Sequence, residues 1–473
     1  MHTVAILLLA LVTLPLPMLP DLALDSVSVP NEDVELEEEF LDVDLQLDPE
    51  TLDETVVVDD VSETMVKLLA SDFQADDITP LDTLTETIDF GTDLSEFESV
   101  SADSEMSGSG LEGRGGTTKA NLLRTGGGTK SSEKAVQTAL YWIARHQYAD
   151  GSWNLDHTHS ECGGRCENPG SMTKARAGAT GLALMTYLGA GHTHHDGTYR
   201  RLVDRGIVAL ARMVKLDKNG ASFKEPQGNM YSHGIATMAI CEAYAMTGDP
   251  ALHDPAQAAI NFICYAQDPT GGGWRYQPRK AGDTSVMGWQ IGALKSGYLS
   301  QLSVPSVVIR KAKQFLDSVS VMDGAGYGYT ADPKTLGQGP ATTAIGLLCR
   351  MYMGIDRHDP GLQSGMEFLS KRGPSEGNAY YNYYATQVLY HHTGGKGPVW
   401  KKWNEKMRDQ LVNSQIQEGH AAGSWTPAET GDHGGKSGGR LYTTAMSAMT
   451  LEVYYRMMPM YRKQATSELD LEQ

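Results

Sequence analysis

The densest set of reactive side chains is "DHTHSECGGRCENPG" (156–170), which places His157, His159, Cys162 and Cys166 within ten residues. Imidazole and thiolate at such spacing can close a tetrahedron around zinc. The same cysteines can form a Cys162–Cys166 disulfide that pins a glycine loop, which an oxidising compartment favours. They can also stay free thiols beside unrelated histidines. The disulfide is the reading carried forward, with zinc second. Another histidine-dense stretch, "GAGHTHHDGTY" (189–199), is flanked by glycines and reads as a surface turn.

A second group stands at the starts of apolar helical runs. In "KAGDTSVMGWQ" (280–290), Asp283 directly precedes such a run. An aspartate there accepts hydrogen bonds from the helix's first free amides. On that reading Asp283→Asn leaves the melting temperature nearly unchanged. His233, Thr343, Tyr384 and Tyr442 occupy comparable positions, and Asp432 and His433 lie in the loop before the last run. Convergent polar groups over an apolar cavity describe a ligand site. In such a site His233 and His433 are the proton carriers, with Asp283 and Asp432 as candidate acids. Trp289, Tyr380, Tyr381, Tyr383, Tyr384 and Tyr442 are available to line it. Taken singly, each polar group is also explained as a cap or a loop residue.

The elements that position these residues repeat. From about Ser131, a helix, a glycine-rich loop with an aromatic anchor and a second helix recur six times. The anchors are Trp153, Phe223, Trp274, Tyr327, Tyr381 and Trp425. A period near fifty residues marks a repeat architecture. First helices are amphipathic, as in "KAVQTALYWIARHQ". Second helices, such as "ATGLALMTYLGAG", are apolar nearly all round and so are buried on every side. Six buried helices alternating with six amphipathic ones predict an all-α fold, an (α/α)6 toroid of six helical hairpins over residues 131–460. A linear solenoid would need polar end caps and has no reason to bury its second helices.

Three loops share a finer pattern of Gln, spacer, Gly, any residue, Trp: "QYADGSW" (147–153), "QDPTGGGW" (267–274) and "QIQEGHAAGSW" (415–425). They resemble the QW repeat of the squalene–hopene cyclase and protein prenyltransferase superfamily, the prenyltransferase and squalene oxidase repeat. The branch most like this chain is that of exported or anchored bacterial repeat proteins. The resemblance implies an α/α toroid in which the glutamine caps the end of an outer helix and stacks on the tryptophan. An amide packed on an indole can bond the orphan carbonyls there. The cyclases carry Asp-x-Asp-Asp before an inner helix reading Thr-Ala-Val and then Trp. Asp283, Thr284, Val286 and Trp289 match this pattern. The middle aspartate, the family's proton donor, falls on Gly282, and the first on Lys280. Prenyltransferase zinc ligands imply a cysteine near Asp283, and there is none in the sequence. The Gly-Cys-Gly-Glu-Gln segment of alkyl-thioester relatives is also absent.

Charge divides the chain. Residues 21–110 hold 28 acidic residues against one basic residue, Lys67, whereas the whole chain carries −20, so the remainder is mildly basic. The acidic segment reads as a disordered, self-repelling tether. Residues 111–130 read as a Gly/Ser hinge and 461–473 as a polar tail. Residues 1–20, "MHTVAILLLALVTLPLPMLP", are apolar but short for a bilayer span. They read as an export signal or a membrane anchor, or as the remnant of a longer span behind a mis-set start, so the N-terminal segment is expected at a membrane. Cys241, Cys264 and Cys349 sit in apolar helical patterns as small core residues. No basic run interleaved with aromatics indicates nucleic acid, and no nucleotide cofactor is indicated. The expected function is a toroid without cyclase chemistry that binds an isoprenoid or other apolar ligand in its central cavity, in the cell envelope. Two alternatives stay open: an envelope scaffold with a protein- or glycan-binding mouth, and a divergent cyclase or glycan-active enzyme.

Overall fold

The computed structural model describes residues 114–429, 431 and 434–456. The apolar segment 1–20, the acidic segment 21–110 and the tail 461–473 lie outside the described residues, as do Asp432 and His433. The chain divides into two units, of which the first, residues 1–50, is also outside them. The second unit is Thr51–Gln473.

That unit is mostly helical, in keeping with an all-α fold. The helices are α1 (Gly116–Gly126), α2 (Lys130–Ala144), α3 (Arg176–Gly189), α4 (Arg200–Met213), α5 (Asn229–Thr247), α6 (Pro250–Ala266) and α7 (Thr284–Leu299). They continue with α8 (Ser306–Val319), α9 (Pro340–Tyr352), α10 (Pro360–Arg372), α11 (Ala379–Thr393), α12 (Gly397–Ser414), α13 (Gly435–Leu451) and α14 (Val453–Arg456). Two antiparallel ribbons interrupt them: β1 (Lys215–Asp217) with β2 (Gly220–Ser222), and β3 (Ser320–Val321) with β4 (Gly326–Tyr327). Both ribbons lie in units whose anchor is Phe223 or Tyr327 instead of tryptophan. Among the described residues no helix is long and apolar enough to cross a membrane.

Local chemistry sets the helix starts. Thr129 and Ser132 cap α2 reciprocally. Asp249–Pro250 and Asp359–Pro360 start α6 and α10 by one device: the aspartate accepts from a first-turn amide and the proline occupies the first helical position. The helices that are apolar all round are largely buried: every residue of α3 after Arg176 is buried, whereas α7 exposes Tyr298 near its end. Helix α3 packs on α5, α5 on α7, α7 on α9, α9 on α11, α11 on α13, and α13 back on α3. Glycines permit this close approach. A Cβ at Gly181 would lie 3.0 Å from the Ala236 backbone.

The three Gln–Gly–Trp loops share one hydrogen-bond pattern. The indoles of Trp153, Trp274 and Trp425 donate to Ile143 O, Ile263 O and Leu411 O, all at 2.8 Å, in the last turn of the preceding helix. The glutamines reach forward instead. Gln147 donates to Gly151 O and to Leu202 O in α4. Gln267 donates to Gly272 O and to Val308 O in α8. Gln415 donates to Gly423 O and to Ala135 O in α2. The indole, not the amide, therefore satisfies a carbonyl of the helix end. The longer amide is free to bridge to the next outer helix. The Gln415 bridge joins the last repeat to the first.

Two expectations are corrected. Residues 111–130 are not a flexible hinge throughout: they hold α1, with Leu122 and Leu123 buried. Gly127, at φ 89°, is the left-handed C-cap of α1. Its carbonyl accepts from Asn404 and Arg408, and Gly126 O accepts from Trp400, so the glycines serve as a docking point for α12. Tyr381 is not a loop anchor; it lies in the first turn of α11 and its hydroxyl donates to Gly373 O.

Candidate functional site

Helix α7 opens on Asp283, which is held from both sides. Its N–H donates to Trp274 O at 2.8 Å, and its Oδ1 accepts from Val286 N at 2.8 Å, so it is the helix cap. Its Oδ2 is buried, makes no hydrogen bond, and faces the Arg275 guanidinium at 3.8 Å and the Tyr329 side chain. Burial pushes this carboxyl up to about 6, against the opposing pull of the Val286 amide and Arg275. Arg275 lies 5.0 Å from the Tyr276 ring centre and 5.4 Å from that of Tyr329, and the two tyrosine hydroxyls bond each other at 2.7 Å. Asp283 is thus a cap whose second oxygen has only the long Arg275 ion pair and the neighbouring Tyr329 side chain for company.

Gly282 shows why no acid stands one residue earlier. A Cβ there would lie 2.6 Å from Gly273 Cα and 2.8 Å from Trp274 N. Backbone cannot yield as a flexible side chain can, so position 282 accepts no side chain in this arrangement.

Below Asp283, α7 and α11 bring together Trp289, Tyr380, Tyr383 and Tyr384, all buried. Trp289 stacks on Tyr383 at 5.9 Å and meets Tyr384 edge-on at 6.0 Å; Tyr380 and Tyr384 are 5.0 Å apart. The Tyr380 hydroxyl donates to Ser285 O, which ties the cluster to the start of α7. Helical spacing puts 380, 383 and 384 on one face and 381 on another. Tyr381 accordingly packs against Trp403, away from this group. Tyr442 is buried on α13 against Gly434 and Gly438. One cleft of about 200 Å³ lies elsewhere, lined by Asp150, Arg176, Arg212 and Glu225 among others.

His233 is not placed for proton transfer. It is fully buried, its Nδ1 accepts from Phe223 N at 3.2 Å, and burial lowers its pKa to about 3. Three other units use a threonine in this role: Thr180, Thr343 and Thr444 accept from the backbone N–H of Trp153, Tyr327 and Trp425. His233 and Thr343 therefore latch the anchor residue to the buried helix that follows it.

The cysteine loop is also corrected. Cys162 and Cys166 are free thiols, with no disulfide between them. His159 is exposed and pairs with Asp156 at 3.4 Å, whereas His157 is buried against the rings of Trp142 and His146. Neither histidine joins the sulfurs. Instead His146, from the end of α2, and His420, from the last Gln–Gly–Trp loop, do so. His420 Nδ1 is 3.1 Å from Cys166 Sγ and 3.7 Å from Cys162 Sγ. One donor atom from each of these four residues lies within 4.8 Å of the others. A second trio, His194, His195 and Asp249, meets on a more exposed surface.

Sequence reasoning missed a buried charge network at the opposite ends of the inner helices. Arg114 Nη1 pairs with Glu242 at 2.8 Å, while Arg456 pairs with Glu242 and Glu452, each at 3.1 Å. All four side chains are essentially unexposed. Burial raises Glu452 to about 7, whereas the two arginines hold Glu242 below its ordinary value despite its burial. The available signal was Glu242 standing alone in the apolar run "HGIATMAICEAYAMTG"; a charge there requires a buried partner.

No family model matches the chain, and no curated protein matches it. Among solved structures, a novel alpha-amylase from Clostridium perfringens is similar at a TM-score of 0.47 and 12% identity, over 68% of this chain and 98% of that one. So slight a likeness carries no argument about chemistry.

Proposed function

We propose that the unit is a six-hairpin α/α toroid of the squalene-cyclase and prenyltransferase type, which binds an elongated apolar ligand of the isoprenoid class without cyclising it. The observation that supports this is the placement of Asp283. A buried carboxyl, one oxygen of which makes no short hydrogen bond, stands with Arg275 and Tyr329 at the end of the Tyr380–Tyr384–Trp289–Tyr383 cluster. Aromatic faces suit an alkene chain, and a few polar groups at one end fix its orientation. The polar end of the ligand would meet Arg275 and the tyrosine hydroxyls. Cyclase chemistry is left out of the reading because position 282 has no room for the acid. The apolar N-terminal stretch, outside the described residues, is the part of the chain that would place the protein in the cell envelope.

The weakly paired Asp283 oxygen also favours a second reading, in which Asp283 itself transfers a proton. A carboxyl raised to about 6 is half-protonated at pH 6 and keeps a protonated fraction of roughly one-tenth at pH 7, which brings it within range of general acid–base work. Organic extraction of the purified chain followed by mass spectrometry tests both readings. A co-purifying isoprenoid that is lost in Trp289→Ala supports binding, and its chemical conversion, abolished in Asp283→Asn, supports the second reading. An empty extract, together with unchanged tryptophan fluorescence on titration with polyprenyl alcohols, removes both.

A further inference from the structure

We infer that His146, Cys162, Cys166 and His420 form a structural zinc site that clasps the first repeat to the last. Each ligand reaches the site from a defined element. His146 follows the end of α2, the cysteines lie in the insertion after Trp153, and His420 lies in the loop between α12 and α13. Zinc bonds of about 2.3 Å to sulfur and about 2.0 Å to nitrogen give tetrahedral edges of roughly 3.4–3.8 Å. The sulfur-to-His420 separations of 3.1 and 3.7 Å lie on either side of the roughly 3.5 Å of a sulfur–nitrogen edge, before any adjustment to an ion.

His146 supplies an independent observation. It is wholly buried, and its Nδ1 stands 2.6 Å from Trp142 O. A carbonyl only accepts, so Nδ1 carries the proton and Nε2 bears the lone pair. That Nε2 is buried and has no hydrogen-bond partner. Carbonyl-fixed tautomers of this kind are the usual support of metal-bound histidines. The indole of Trp142 stacks on the ring at 3.8 Å and holds its orientation.

The donor set selects the ion. Two thiolates and two imidazoles favour zinc among common divalent cations, whereas magnesium and calcium take oxygen donors. Binding releases both thiol protons, leaving two thiolates to balance the dication. All four positions are filled by the chain, which is the closed arrangement of a structural site and leaves none for substrate. Arg440 braces the same loops: it donates to Glu167 O at 2.9 Å, Asn168 Oδ1 at 2.8 Å and Ser424 Oγ at 3.0 Å. The ion would thus join the same two segments that the Gln415–Ala135 bridge joins.

The test is elemental analysis of the full chain purified without chelator, followed by cobalt replacement. One equivalent of zinc per chain is expected. After chelation, added cobalt should give the intense thiolate charge-transfer and tetrahedral d–d bands of a two-sulfur site. Cys162→Ser/Cys166→Ser and His420→Ala should each lose the metal, with Cys241→Ser as the retained control. Should the variants fail to fold, the cobalt spectrum of the wild-type chain decides alone. The inference is overturned by metal-free protein that gives no cobalt spectrum. A native mass short of two hydrogens, with Cys162 and Cys166 in one oxidised peptide, overturns it too, as does zinc retained by the double serine variant.

Discussion

Replacing Asp283 by asparagine separates its two roles, because asparagine caps a helix as well as aspartate does but cannot ionise. The folded carboxyl titrates near 6 against an ordinary value of 3.8. A raised acid contributes no penalty below pH 3.8. Stability falls as pH rises from there through 6, because the folded protein must ionise a group that resists it while the unfolded chain does so freely. At 1.36 kcal/mol per unit, the gap gives a full penalty of about 3 kcal/mol above pH 7. The asparagine amide would place its N–H₂ towards Arg275 in exchange for Oδ2, a poorer match, so the net gain is about 1–3 kcal/mol. In a domain this large, each kcal/mol moves the melting temperature by roughly 1–2 °C. Thermal melts from pH 4 to 8 should therefore superimpose for wild type and Asp283→Asn at pH 4 and diverge by about 2–5 °C in the variant's favour at pH 8. Curves that coincide at every pH, or a variant that is the less stable at pH 8, would refute the assignment of a buried, weakly paired carboxyl. Coincident curves are what a purely capping residue gives.

Three further outcomes follow from the same structure. Gln147→Ala, Gln267→Ala and Gln415→Ala each remove two amide hydrogen bonds and should each cost about 1–3 kcal/mol in chemical denaturation; a much smaller loss at 415 than at the other two would argue against a closed ring. His233→Ala leaves the Phe223 N–H without its acceptor and should cost about 1–3 kcal/mol, with His233→Thr recovering part of it as the threonine units do. His233 titrates near 3 when folded, so its contribution is present above pH 6.5 and is lost as pH falls from there towards 3; acid melts of wild type and His233→Thr should converge accordingly. Gly282→Asp, which restores the family's acid in sequence, should lower the melting temperature by several degrees because its Cβ meets the Gly273 and Trp274 backbone; an unchanged melt would show that this junction can open.

Much of the architecture was legible because it rests on periodicity. A helix such as α3, apolar on every side, has only one kind of place to go, and the amphipathic α2 and α4 have another. The repeated Gln–Gly–Trp loops are local signals, and each lies between consecutive helices, although the indole and not the amide meets the helix end. Asp283 as a cap was readable for the same reason: its first partner is three residues away.

What sequence withheld depends on neighbours distant in the chain. Whether the second Asp283 oxygen is satisfied turns on Arg275 and Tyr329, which only folding brings beside it. Cysteines four residues apart suggested a local bridge or nearby histidines, but the groups that meet them are His146 and His420, the second more than 250 residues away. Glu242 finds Arg114 at a separation of 128 residues and Arg456 at 214. Periodicity specifies which face of a helix is buried. It carries no term for which residue stands opposite that face, and tertiary packing alone decides that.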